Sequence, residues 1–350
     1  MTDKTKTHSR RGFCLTAALA ITTGLAALTP GAAAADTPIR FTLDWRFEGP
    51  AAPFLLALDR GYFAEEGLSV TIDAGQGSVD AINRVAAGAY DISFGDINTL
   101  IRLLDAEPDT PVRAVFMLYN SPPFAVVGRK SQGVFEPKDL EGRRLGAPAP
   151  DGAFAQWPIF VAENDIDESL VTIENVGFPV REPMLLAGQV DAITGFAFSS
   201  YLAVQMSLDD PDDATLFLMS DYGLELYGNA LIASTRLIEE NPEALEGFLR
   251  AVTRGIHSVI EDPEAALPYV LARSDIARPE LEELRLQYAL EMNILTDEVM
   301  ESGLGGIDPE RMARAFEQLA LVYDFQREPT VEGVFDARFL PPLEDRMVAQ

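Results

Sequence analysis

Ile39-Arg40-Phe41-Thr42-Leu43-Asp44-Trp45, the apolar stretch Ala51–Arg60 closed by Gly61, and Ser69–Asp73 closed by Gly75 decide the fold of this 350-residue chain. The first segment puts apolar side chains at every second position, the period of a strand with one buried face. Residues 51–60 are too continuously apolar for a surface loop and fit a short helix, which glycine stops. The third segment is again β-rich and ends on a glycine turn. A strand, a short helix and a second strand in this order predict a crossover unit with the two strands parallel.

The same alternation continues outward. Val79–Ala87 reads as a helix stopped by Gly88, Asp91–Phe94 as a strand, Asn98–Asp105 as a helix and Val112–Leu118 as a strand. A second block follows, with strands over Arg144–Ala147, Val171–Asn175, Ala192–Gly195, Thr215–Met219 and Ala230–Ala233 and helices over Phe154–Asn164 and Val180–Leu186. From Pro242 the texture changes to long helices, Pro242–Asp262, Pro263–Arg273, Pro279–Met292 and Pro309–Tyr323, which open on proline as first-turn positions allow. No linker or low-complexity tract separates the blocks. The expected architecture is therefore α/β and two-lobed, each lobe a mostly parallel sheet flanked by helices, with a ligand cleft between them. The expected division is 36–127 together with 222–350 as lobe 1, and 128–221 as lobe 2.

Residues 1–35 read as an export signal. Lys4, Lys6, Arg10 and Arg11 precede an apolar stretch from Phe13 to about Leu28, and Ala32-Ala33-Ala34-Ala35 offers a cleavage site before Asp36. Ser9-Arg10-Arg11-Gly12-Phe13-Cys14-Leu15 looks like a twin-arginine motif, with an ordinary secretory signal as the alternative. The stretch is short for a bilayer span, so no membrane insertion is expected after cleavage near Ala35.

Composition narrows the chemistry. The chain carries 27 basic and 55 acidic residues, a net charge of −28. So acidic a surface repels phosphate backbones, and nucleic acid is not expected as a partner. Cys14 and His8 leave with the leader, so the mature chain keeps one histidine, His257, and no cysteine. A nucleophile–histidine apparatus or a His/Cys metal site is starved of parts. No catalytic residue, metal or cofactor is expected; a carboxylate-dependent exported enzyme stays open as an alternative.

Open parallel sheets bind ligands in the loops at the carboxyl ends of their strands. In the first block these loops hold Asp44, Trp45 and Glu48, then Gly77 and Ser78 at a helix start, then Asp96 and Asn98. Asp96 reads equally as a helix cap, and Trp45 equally as core. Tyr119 lies at the crossover between blocks. The second block offers Asp151, Phe154 and Trp157, then Thr194 and Phe196. These candidates are acidic and aromatic, with Arg46 as the only base. That favours a flat, amine-bearing small molecule, through cation–π contact and charged hydrogen bonds, over an oxyanion.

Leu58-Asp59-Arg60-Gly61-Tyr62-Phe63-Ala64-Glu65-Glu66-Gly67-Leu68, after the Asp44-Trp45 pair, resembles one large family: the periplasmic solute-binding proteins of nitrate, sulfonate and taurine importers and of thiamine-pyrimidine-precursor importers. Ala86-Ala87-Gly88-Ala89-Tyr90-Asp91-Ile92, Pro137–Gly146 and Leu186-Ala187-Gly188-Gln189-Val190-Asp191-Ala192 fit its pattern in order. The resemblance implies a type II periplasmic-binding fold with two hinge strands, capture by lobe closure, a monomer in the periplasm and an ABC permease as partner. It gives Trp45 the role of stacking on a ligand ring, as in the pyrimidine binders. The stretch Arg46–Pro50 departs from the Asn/Pro/His-rich stretch of those binders. The alternative ligand is taurine, an alkanesulfonate or another small organic anion, and a sensory rather than importing partner also stays open. Fungal relatives that synthesise the pyrimidine need cysteines and histidines that this chain lacks.

Overall fold

The computed structural model describes residues 36–349, all of which belong to one compact unit. The leader expected over residues 1–35, with its twin-arginine motif, lies outside the described residues. Among those described, no helix is long and apolar enough to cross a membrane.

Two five-stranded sheets carry the fold. The first orders β2 (Leu68–Asp73), β1 (Thr37–Thr42), β3 (Ile92–Asp96), β10 (Asn229–Ser234) and β4 (Val112–Met117). The second orders β7 (Thr172–Asn175), β6 (Arg144–Ala147), β8 (Ala192–Phe196), β5 (Phe124–Arg129) and β9 (Ala214–Leu218). In each sheet the first three strands are parallel and the fourth runs antiparallel to both its neighbours. Four strands of each sheet therefore point one way and one is reversed. The reversed strands, β5 and β10, are those whose chain arrives from the other sheet. The other strands run toward the cleft, so a chain crossing it must enter the next sheet running away. β5 escaped the sequence reading: it is a six-residue apolar run wedged between Pro122-Pro123 and the turn after Arg129, without the alternation that marks a half-exposed strand. It also straddles residues 127 and 128, where the lobes were expected to divide.

The parallel strands close with the same device in both lobes. Arg40 donates its backbone N–H to Asp91 at 2.8 Å and its Nη2 to the Gly88 carbonyl at 3.1 Å. Arg144 repeats this with Asp191 at 2.9 Å and the Gly188 carbonyl at 3.0 Å. The two Gly-x-x-Asp stretches are thus one structural unit used twice. Each glycine ends a helix in the left-handed region, at φ +74° and +67°, and the aspartate three residues on anchors the neighbouring strand.

Apolar burial follows the layers. Phe41, Phe54 and Phe248 form edge-to-face pairs between β1, helix Ala52–Asp59 and helix Pro242–Glu261. The crossing segments are tied by a C-terminal clamp. Arg311 Nη2 donates to the carbonyls of Asn120 and Leu226, one in each crossing, at 2.6 and 2.9 Å. Its Nη1 pairs with Glu298 at 2.8 Å, and Glu298 also accepts from Tyr227 Oη at 2.6 Å.

Candidate ligand-binding cleft

The cleft is built from strand ends. β1 ends at Thr42, and Asp44-Trp45 extends the chain over its carboxyl edge. The Gly77 N–H then donates to the Asp44 carbonyl at 2.7 Å, which brings the start of helix Ser78–Ala86 beside the pair. Gly77 must be glycine: its φ is +100°, and a Cβ there would lie 2.4 Å from the Pro150 carbonyl oxygen of the opposite lobe.

The lobes meet across this cleft. Ser199 Oγ donates to Glu48 Oε2 at 2.8 Å, and the Trp45 and Phe178 rings stand 4.5 Å apart at 58°. Gln156 Nε2 reaches Asp96 at 3.0 Å. Between them lie two adjoining cavities. One is walled by Asp44, Trp45, Ser78, Asp151, Phe178 and Arg181 among others. The other is walled by the aromatic side chains of Trp45, Phe54, Phe94, Tyr119, Phe196 and Phe198, with aliphatic and charged residues between them. Asp44, Trp45 and Phe196 belong to both walls. Each offers about 30 Å³ of water-accessible space, so with the lobes in this arrangement the cleft is nearly closed.

Electrostatics set the cavity apart from a plain apolar slot. Asp44 is buried and accepts from Asn229 Nδ2 at 2.7 Å. Burial outweighs that bond and pushes its carboxyl up to about 7. Burial, with the charges of Asp44 and Glu48, also pushes the Tyr119 phenol well up. Asp151 accepts from Thr194 Oγ1 at 2.9 Å and stands 3.6 Å from Arg181; burial still raises its carboxyl. Arg181 is itself buried and bound to Glu182 at 2.6 Å and to Ser200 Oγ at 2.6 Å. Gly195 makes room for this cluster, since a Cβ there would meet Ser200 Oγ at 2.1 Å. Ser78 Oγ, 1% exposed at the helix start, has no hydrogen-bond partner among the described residues.

The expected site residues divide accordingly. Asp44, Trp45, Gly77, Ser78, Asp151 and Phe196 line the first cavity. Glu48 and Tyr119 line the second. Thr194 stands behind Asp151. Five, Thr194 among them, fall outside both walls. Asp96 caps helix Ile97–Ala106 through the Asn98 and Thr99 N–H groups at 3.0 and 2.9 Å. Asn98 donates to Asp96 and to the Tyr227 carbonyl, both at 2.7 Å, and so holds the second crossing. Trp157 is 1% exposed and donates to Glu168 at 2.9 Å, with Phe154 packed in the same core.

Sequence reasoning missed Phe178, Arg181, Ser199 and Arg285. Arg46 is therefore not the only cleft base. Arg181 was within reach of the same strand-end rule, since it follows β7. Arg285 was not: it comes from helix Pro279–Ala289, 86 residues beyond Ser199, and reaches Glu48 at 3.3 Å and Glu282 at 2.6 Å.

The NMT1/THI5-like sequence profile matches residues 50–266. The chain belongs to the NMT1/THI5-like family. Within it, the chain is 29% identical over 301 residues to the formylaminopyrimidine-binding protein of Halalkalibacterium halodurans, covering 84% of this chain and 87% of that one. It is 24% identical over 296 residues to the riboflavin-binding protein RibY of Chloroflexus aurantiacus, covering 83% and 82%. A 4-amino-5-hydroxymethyl-2-methylpyrimidine phosphate synthase of Legionella pneumophila shares 27% over 236 residues, covering 65% and 71%. Among solved structures, the alkanesulfonate-binding protein SsuA of Xanthomonas axonopodis pv. citri superposes with a TM-score of 0.66 at 14% identity, covering 86% of this chain and 98% of that one. The family member described here thus has a two-lobed periplasmic-binding fold.

Proposed function

We propose that this chain is the substrate-binding component of an ABC importer, capturing a small nitrogen-containing aromatic or heterocyclic solute of pyrimidine type outside the cytoplasm. The observation that carries this reading is Asp44, a buried carboxyl near neutrality between aromatic walls at the junction of the two cavities. A ring amine or protonated ring nitrogen would supply Asp44 with a donor besides Asn229, and Trp45 and Phe178 a flat surface to stack on. The 29% identity to a formylaminopyrimidine-binding protein supports the same class. In this reading the leader is cleaved near Ala35, the mature monomer works in the periplasm, the lobe built on the second sheet closes on the remainder, and the loaded form is presented to a permease. The bound solute is released unchanged; no catalytic group is assigned.

One observation favours a sulfonate instead: the start of helix Ser78–Ala86, with its unpartnered Ser78 hydroxyl, suits an oxyanion. Arg181 does not add to it, because Glu182 and Asp151 already hold the guanidinium. Asp44 and Asp151 line the same cavity and would stand beside the anion. Calorimetric titration at pH 8 separates the two. Binding of 4-amino-5-hydroxymethyl-2-methylpyrimidine or formylaminopyrimidine, with none of taurine, is the expected result. Tight taurine binding without either pyrimidine would replace this reading by the other.

Trp45→Ala should weaken binding of the pyrimidine by at least about 1 kcal/mol, roughly fivefold, through the lost ring face. The same titration reads it, and unchanged affinity would make Trp45 a lobe contact only.

A further inference from the structure

We propose that Gln156 is a latch between the lobes: its amide, held between Asp96 and Arg102 of the opposite lobe, strengthens capture of every solute by the same factor without touching any of them. This rests on the reading of the chain as a binding protein that closes on its solute, and adds to it the residues that set the strength of closure.

Gln156 ends the turn Phe154–Gln156 in the lobe of the second sheet, just before helix Trp157–Glu163, and is wholly buried. Asp96 and Arg102 belong to the lobe of the first sheet, at the end of β3 and on helix Ile97–Ala106. Gln156 Nε2 donates to Asp96 Oδ2 at 3.0 Å, and Gln156 Oε1 accepts from Arg102 Nη1 at 3.3 Å. The same Arg102 nitrogen donates to the Ala155 carbonyl at 3.2 Å. The amide thus lies between an anion and a cation, with its donor end toward the anion. Turned over, it would face an unsuitable partner at both ends. Within its own lobe Gln156 Nε2 also reaches the Gly152 carbonyl at 3.3 Å, which aims the amide at Asp96. Gln156, Asp96 and Arg102 line neither cavity, so a solute neither completes this contact nor replaces it. Glu48 and Ser199 join the lobes as well, but both line the cavities, and a change there would mix closure with ligand contact. The apparent affinity of a binding protein scales with the fraction of molecules in the closed, binding-competent form. A contact made only between closed lobes raises that fraction for all solutes alike. When the lobes part, water takes the place of the amide at Asp96 and Arg102, so the latch gains only the net value of its two charge-assisted hydrogen bonds.

The probes are 4-amino-5-hydroxymethyl-2-methylpyrimidine and formylaminopyrimidine, titrated by calorimetry into the mature protein at pH 8. Gln156→Ala should weaken both by about tenfold, with the two factors agreeing to within about twofold. Gln156→Glu keeps the shape of the side chain and turns its donor end into an acceptor facing Asp96. It should also weaken both solutes by a common factor, and it decides the matter where Gln156→Ala does not fold. Unchanged affinity for both solutes overturns the latch. So does a loss confined to one of them, which would make Gln156 a ligand contact. Where the wild type takes taurine instead of the pyrimidines, taurine and ethanesulfonate form the pair. The choice of pair then judges the pyrimidine reading, and the ratio of variant to wild type judges the latch. A wild type that binds none of these compounds removes the binding reading, and the latch with it.

Discussion

Asp44→Asn is expected to yield a protein that is more stable at pH 8 and a much poorer binder. The Asp44 carboxyl stands at about 7 in the folded protein against an ordinary 3.8, because burial opposes its charge more than Asn229 supports it. Between those two values the folded chain holds a proton that the unfolded chain has released. Stability therefore falls as pH rises through this window, and the loss is complete above about pH 7. Asparagine imitates the protonated acid at every pH. The variant should match the wild type near pH 4 and exceed it by on the order of 1–3 kcal/mol at pH 8 in urea unfolding without ligand. Binding goes the other way. A donor on the solute meets a carboxylate in the wild type and a neutral amide in the variant, a loss of about 1.5–3 kcal/mol, or roughly ten- to a hundredfold in affinity. Wild-type affinity should rise as the pH passes through 7 and that of the variant should stay flat. Equal affinity of the two proteins at pH 8 would remove Asp44 from the ligand's shell.

Much of this cleft could be read from residues alone, for a physical reason. Strand ends, glycine stops and helix starts are local features, and they put Asp44, Trp45, Gly77, Ser78 and Asp151 at the carboxyl edges of sheets. The same is true of the repeated Gly-x-x-Asp closures at Asp91 and Asp191. What failed was whatever depends on competition between local and distant partners. Asp96 has the spacing of both a cap and a cleft residue, and in the fold the Asn98 and Thr99 N–H groups and Gln156 occupy its carboxylate. Trp157 opens a helix near the cleft, but Glu168, 11 residues on, takes its indole N–H and turns it into the core. Arg285 joins Glu48 across 237 residues of chain, and nothing near either residue announces it. Strand β5 failed for a different reason, being buried on both faces and so without a period to detect.

Loss of Arg181 should cost this fold heavily. It is 3% exposed, and its guanidinium is the counter-charge to two carboxyls, the half-buried Glu182 at 2.6 Å and the buried Asp151 at 3.6 Å. Burial presses the Glu182 carboxyl upward, but Arg181 outweighs it and the net result lies below the ordinary range. Asp151 stays raised by burial even with Arg181 beside it. Arg181→Met keeps much of the volume and leaves both carboxyls without their counter-charge, which is expected to cost about 2–4 kcal/mol at pH 7, less than for a fully buried pair because solvent reaches Glu182. In the variant both carboxyls would have folded values above their unfolded ones, so its stability must fall as pH rises from about 4 to 7. In the wild type Glu182 contributes in the opposite sense: its stabilisation is present above the ordinary 4.5 and is lost as pH falls through its lowered folded value. The gap between the two proteins should therefore be widest near neutrality and narrow on acidification, which unfolding series at pH 7 and pH 4.5 would show. Adding Glu182→Gln and Asp151→Asn to Arg181→Met removes the stranded charges and should restore a good part of the loss, because a neutral buried cluster can cost less than a broken ionic one. A triple variant as unstable as the single one would mean that the methionine fails by packing, and that the guanidinium holds the second lobe's cleft wall by shape rather than by charge.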